Sequence, residues 1–273
     1  MITSTLNGFS RLALILTAVV VSTTACGNPS FAPEAGLPSP QKNSSSAPGF
    51  VLPSQKIEMF QQRYKLNDTH QKLVDDHGDG FAPLYGVRNF RAVLNGVVYR
   101  GGANNTYNKF GKRSNMNPLP DVGLKNLCKE GFGTAVYLYP DNFATASKST
   151  SCQTADGQAS KLTYVHFTPF SDADVTSIFS KVQTALTHPE TGPLYLHCWN
   201  GWHASGLASA LILRQFCGMD PETAVTYWNL NTDGNAADAR FGNIRARIRN
   251  FVVKPGYTIS EALRRQVCPR TAL

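Results

Sequence analysis

The ten residues His197-Cys198-Trp199-Asn200-Gly201-Trp202-His203-Ala204-Ser205-Gly206 carry the clearest chemical signal in the chain. They lie between an apolar strand pattern over residues 193–197 and an apolar helix pattern over residues 204–216. A strand that turns tightly into a helix aims several backbone N–H groups and the positive end of the helix dipole at one place. That place attracts an anion. A cysteine beside it has its thiolate stabilised by the same donors, which makes it a nucleophile near neutral pH. Ser205, in the first turn of the helix, is placed to satisfy a backbone donor. Asp172 and Asp174 follow the strand pattern at residues 162–167; Asp174 directly precedes a helix pattern and reads as its N-cap. His166, within that strand, reads as a structural histidine. No spacing of His, Cys, Asp and Glu matches a metal centre, and no cofactor is expected. Asp75, Asp76, His77 and Asp79 sit in a glycine-rich run that departs from the calcium-loop spacing and reads as a solvated turn.

The elements that must hold these groups alternate between strand and helix. Residues 90–94 and 97–100 are strand-like and flank Asn95-Gly96, the dipeptide of a two-residue type I′ hairpin. A helix over residues 121–130, capped by Asp121 and ended by Gly131, precedes a strand at 134–139. The strand at 162–167 is followed by helical spacing through Val175, Ile178, Phe179, Val182 and Leu186. Beyond the cysteine stretch, helices are expected at residues 221–229, 237–253 and 259–267. This order predicts an α/β domain over residues 57–273, with a mostly parallel central sheet flanked by helices and a helical C-terminal third.

The cysteine stretch resembles the phosphate loop of the protein tyrosine and dual-specificity phosphatases, whose pattern is HCxxGxxR[ST]G. His197, Cys198, Gly201, Ser205 and Gly206 match in place. Tyr99-Arg100-Gly101-Gly102 resembles the YRSG strand end of the dual-specificity enzymes, and the elements over residues 97–229 come in the family's order. The resemblance implies a phosphatase-like fold, with residues 197–206 as the phosphate-binding loop and Cys198 as nucleophile. It implies Asp172 as the acid that protonates the leaving oxygen, Asp174 as second choice, and Ser205 as the residue that helps the thiolate leave. His197 then holds the loop, and the reaction is hydrolysis of a phosphomonoester through a cysteinyl-phosphate.

Ala204 is the departure, for it stands where the family has arginine. The arginine fork makes paired, charge-assisted bonds to phosphoryl oxygens, and alanine does neither. Loss of one such transition-state donor costs on the order of 10²–10³ in rate unless another cation enters the site. Arg100, His203, Arg240 and Arg245 are candidates for that cation. The alternative is a catalytically impaired pseudophosphatase that binds a phosphorylated or anionic ligand. A cysteine–histidine acyl transfer lacks an evident triad order. Trp199 and Trp202 read either as an aromatic rim for a ring substrate or as packed side chains.

The N-terminus bears on location. Arg11 precedes an apolar run at residues 12–21, then Thr23, Thr24, Ala25 and Cys26. The run is too short for a membrane-spanning helix and reads as an export signal over residues 1–25. It resembles a bacterial lipoprotein signal, which implies acylation of Cys26, a membrane partner through the lipid anchor, and a place in the cell envelope. An ordinary signal peptide cut near Ala25 is the alternative. Residues 26–56 are rich in Pro, Ser, Gly and Asn and read as a flexible tether. Of six cysteines, Cys26 and Cys198 set aside leave four, which allow three connectivities or stay as unpaired core residues; locality favours Cys128 with Cys152 and Cys217 with Cys268. With 26 Lys and Arg against 18 Asp and Glu, the net charge of +8 draws the protein toward anions such as phosphate esters, lipid headgroups or nucleic acid and names no partner; the phosphatase resemblance implies a phosphorylated substrate or anionic ligand. No nucleic-acid partner is expected.

Overall fold

The computed structural model describes residues 53–105 and 113–270. The expected signal, Cys26 and the tether up to residue 52 lie outside the described residues. Helix α1 (Pro53–Tyr64) takes in the last four residues assigned to the tether.

Six strands form one sheet: β1 (Val87–Leu94), β2 (Val98–Ala103), β3 (Thr134–Tyr137), β4 (Ser149–Gln153), β5 (Ala159–His166) and β6 (Leu194–Cys198), in the order β1-β2-β6-β3-β5-β4. The pairings β2–β6, β6–β3 and β3–β5 are parallel, whereas β1–β2 and β4–β5 are antiparallel. The α/β class is as expected, but the sheet is mixed. Each antiparallel pairing is a hairpin that adds an edge strand to a parallel centre.

Side chains alternate across the pleat and divide the core in two. From β6, Leu194, Leu196 and Cys198 face one layer and Tyr195 the other; from β3, Val136 and Tyr137 divide the same way. The first layer is aliphatic and is covered by α3 (Asp172–Thr187), α4 (His203–Cys217), α5 (Pro221–Leu230), α6 (Gly242–Arg249) and α7 (Glu261–Val267). The second is aromatic, built on Phe60, Tyr64, Phe90, Tyr99 and Phe132 under α1 and α2 (Asp121–Lys129). Among the described residues no helix is long and apolar enough to cross a membrane.

Several local expectations change. The β1–β2 turn is not type I′, because Gly96 has φ +82° while Asn95 keeps a negative φ; the register pairs Leu94 with Val98, leaving a three-residue loop. Tertiary contacts set that turn, since the Asn95 N–H donates to Val267 O at 2.6 Å. Asp121 is the first residue of α2 rather than its cap, and Pro120 occupies the cap position. Asp174 lies inside α3, whose N-cap is Ser171. The helix expected over residues 237–253 shrinks to α6 and a preceding 3₁₀ turn, Ala239–Phe241. Cys128–Cys152 and Cys217–Cys268 are disulfide-bonded, with Cα separations of 6.1 and 5.7 Å. The second ties the end of α4 to the end of α7.

Candidate active site around Cys198

Cys198 ends β6 and is 3% exposed, the free cysteine among the described residues. Its Sγ lies 3.5 Å from Ser205 Oγ, one turn into α4. The chain between them can curl this tightly because Gly201 has φ +78° and presses on Gly101 and Gly102 of β2. A Cβ on Gly102 would come within 2.0 Å of Trp199 O, so the penultimate residue of β2 must be glycine for the loop to sit where it does.

Behind the loop, its carbonyls are all taken. Ala103 N–H donates to Trp199 O (2.8 Å) and Asn89 Nδ2 to Asn200 O (2.7 Å). Arg100 Nη2 donates to Gly201 O and Trp202 O. These donors all come from the β1–β2 hairpin, so the peptide planes turn their N–H groups to the opposite side. The N–H groups of residues 200–205 find no acceptor among the described residues, as expected for a loop entering a helix. The result is a concave nest of donors at the positive end of the fifteen-residue α4, with Cys198 at its base.

His197 fixes the strand end. It is buried, with Nε2 2.8 Å from Tyr164 Oη and Nδ1 3.2 Å from Cys198 O. Tyr164 Oη accepts from Leu119 N–H, so its own proton goes to Nε2, and the His197 proton on Nδ1 goes to the Cys198 carbonyl. Burial pushes the imidazole pKa down to about 3, so it stays neutral. Tyr137, Tyr164 and Tyr195 stack on its ring at 5.2–5.8 Å.

The two tryptophans are half-buried and fastened differently. Trp202 Nε1 donates to Asp233 at 2.8 Å, and Asp233 also holds Arg91 (2.9 Å) and Lys72 (2.8 Å). Burial would raise the Asp233 pKa, but Lys72, Arg91 and Trp202 outweigh it and the carboxyl is held below its usual range. Trp199 has Arg113 over its ring at 5.8 Å. His203 Nε2–H donates to Asn235 O (2.9 Å), and the ring stacks on Phe241 at 4.0 Å; burial lowers its pKa. Gly206 packs on Trp228, whose indole N–H donates to His203 O.

Ala204 is fully buried in the aliphatic layer. Of the cations considered for the missing arginine, Arg100 reaches the loop, but its contacts are with carbonyls. Arg240 pairs with Asp238, Arg245 donates to Ala236 O, and His203 is engaged with Asn235. The residue that sequence reasoning missed is Arg88 of β1, 6% exposed, whose Cγ lies 2.8 Å from the position a Gly102 Cβ would take. Its signal was a second arginine, three residues before Arg91, in a strand that is apolar apart from these two and Asn89.

The carboxylates stand apart from this cradle. The Asp172 side chain is 86% exposed and paired with Arg247 at 2.8 Å, and it bonds to no loop residue. Asp174 Oδ2 accepts the Thr168 N–H at 2.8 Å, a local tie of the helix entry. His166 closes β5, with its pKa lowered by burial. Asp75, Asp76 and His77 bring ligand atoms within 4.8 Å of one another, and Asp75 Oδ1 accepts from the N–H groups of His77, Gly78 and Asp79 as in a tight turn. No family model matches the chain, and no curated protein matches it.

Proposed function

We propose that the domain takes a phosphate monoester into the cradle of residues 199–205 and hydrolyses it in the manner of the cysteine-dependent phosphatases that residues 197–206 resemble. One observation carries the proposal. Every carbonyl from Trp199 to Trp202 is held from behind, which leaves the loop N–H groups directed to a point above a buried thiol. Such a nest binds an oxyanion and stabilises a thiolate by the same donors.

In the reaction, Cys198 Sγ attacks phosphorus and the ester P–O bond breaks. The leaving oxygen takes a proton from Asp172, which must first leave Arg247. Water then attacks phosphorus and gives its proton to Asp172, the P–S bond breaks, and orthophosphate departs. Ser205 Oγ–H stabilises the departing thiolate across the 3.5 Å contact. A second reading, an oxyanion-binding protein without turnover, draws on two observations: Ala204 is sealed in the core, and Asp172 is paired outward. Export and anchoring through Cys26 belong to the proposal, and the two disulfides support an oxidising compartment.

The test is phosphate release from a panel of aryl and alkyl phosphates. The hydrolase reading expects an initial burst and a Cys198→Ser variant slower by on the order of 10⁴-fold or more. Wild-type turnover equal to Cys198→Ser, with phosphate still bound, selects the binding reading. Absence of both turnover and oxyanion binding rejects both.

A further inference from the structure

The loop resembles a phosphate loop yet lacks a cation of its own, because its arginine position is the buried Ala204. Beneath it, three arginines come from the β1–β2 hairpin. Arg100 is consumed by carbonyls and Tyr227, and Arg91 by Asp233. Arg88 is buried at 6% exposure, and its Nε and Nη1 have no hydrogen-bond partner. A guanidinium with two of its three nitrogens enclosed and unpartnered is costly, and such groups in folded proteins ordinarily find an anion.

The register shows where Arg88 points. It pairs across the antiparallel ladder with Gly102, and Gly102 pairs across the parallel ladder with Cys198. Side chains at paired positions leave a sheet on the same face, so Arg88 and Cys198 emerge on one face, with β2 between their strands. The loop itself lies on that face, since a Gly102 Cβ would meet Trp199 O, the Asn200 carbonyl carbon and Arg88 Cγ at once. A bulge follows directly, with Asn89 at φ +51° and the register shifting between Arg88 and Arg91. The bulge lets consecutive residues both serve the loop: Asn89 holds the Asn200 carbonyl while Arg88 stays unpaired.

We propose that Arg88 is the cation of this site, gripping non-bridging oxygens of a phosphate group seated in the 199–205 nest, in place of the arginine absent at Ala204. The proposal rests on the reading of that loop as an oxyanion cradle. In chemical terms the fork comes from a neighbouring strand rather than from the helix, and the ligand class is a dianionic phosphate ester.

The test is titration of the full chain with inorganic phosphate, by calorimetry and by thermal shift, for wild type, Arg88→Met, Arg88→Lys and, as control, the surface variant Arg240→Met. Losing a charge-assisted pair should weaken phosphate binding about 30-fold in Arg88→Met. Without phosphate, that variant should melt at the wild-type temperature or above, because an unpartnered buried charge is gone; a purely structural arginine would lower it. Arg88→Lys keeps the charge but not the fork and should bind about 5- to 10-fold more weakly than wild type. It also decides the question if Arg88→Met does not fold. Arg240→Met should bind as wild type does. If wild type binds phosphate and either Arg88 variant binds within twofold of it, the assignment of Arg88 is overturned while the loop reading stands. If wild type binds no phosphate, both fall.

Discussion

Two regions flank the Cys198 loop, and they hold charge differently. On the β1–β2 side, Arg88, Arg91 and Arg100 are all buried, with Asp233 as the carboxylate among them; burial and the Arg100 charge lower the Arg91 pKa to about 10. On the α3 side, Asp172 and Arg247 meet in an exposed pair, and Asp174 serves its own helix. On the proposed reading, the half of the site that would hold the anion is built into the core, where interactions are strong and geometry is fixed. The half suited to delivering a proton is held by a contact that water screens. Binding and turnover should consequently respond to mutation independently.

That separation can be broken in order of effect. Gly102→Ala forces a Cβ into the Trp199 carbonyl and should cost about 3 kcal/mol of stability together with oxyanion binding, read by denaturant melts and phosphate titration. Intact binding in that variant would mean the loop moves freely over β2. Asp172→Asn should leave melting and phosphate affinity alone but slow turnover by about 10²-fold, most for poor leaving groups. An unchanged rate would move the acid role elsewhere.

The pH dependence probes the core side alone. His197 has a folded pKa of about 3, against about 6.5 when unfolded, so on acidification the unfolded chain takes up this proton first. Its contribution is complete above about pH 6.5 and is lost as pH falls toward 3, at up to about 1.4 kcal/mol per pH unit. His197→Asn should flatten that part of the stability profile; an unaltered slope would show that other groups cause it. The smallest effect belongs to Arg247→Ala, which frees Asp172 and should change stability by less than about 0.5 kcal/mol. A slower rate in that variant would show that the pair positions the acid, and a faster one that it restrains it.

The parts legible in the sequence were those where one local signal decides. The apolar run before Cys198, the glycines at 201 and 206 and the apolar helix after them specify strand, turn and helix without outside help. Locality likewise paired the four cysteines. Strand β4 was not legible, because Ser149–Gln153 is a polar edge with no apolar alternation. The helix expected over residues 237–253 was over-extended at both ends, because its periodicity runs through the 3₁₀ turn Ala239–Phe241 and past Arg249, where α6 stops. Arg88 was missed for a third reason. Its role depends on register across three strands, which the residues of β1 do not carry alone.

The strand order has a consequence for how the molecule comes to exist. Strand β2 is complete at residue 103, but its parallel partner β6 begins at residue 194, and Asp233 closes on Arg91 across 142 positions. Gln61 of α1 reaches Gln266 O across 205. A chain emerging N-terminus first therefore carries an unpaired, arginine-bearing hairpin for most of its synthesis. Long-range parallel pairing is the slow step of such topologies. The cradle is assembled late, and until it closes the buried arginines are open to solvent and to any polyanion nearby.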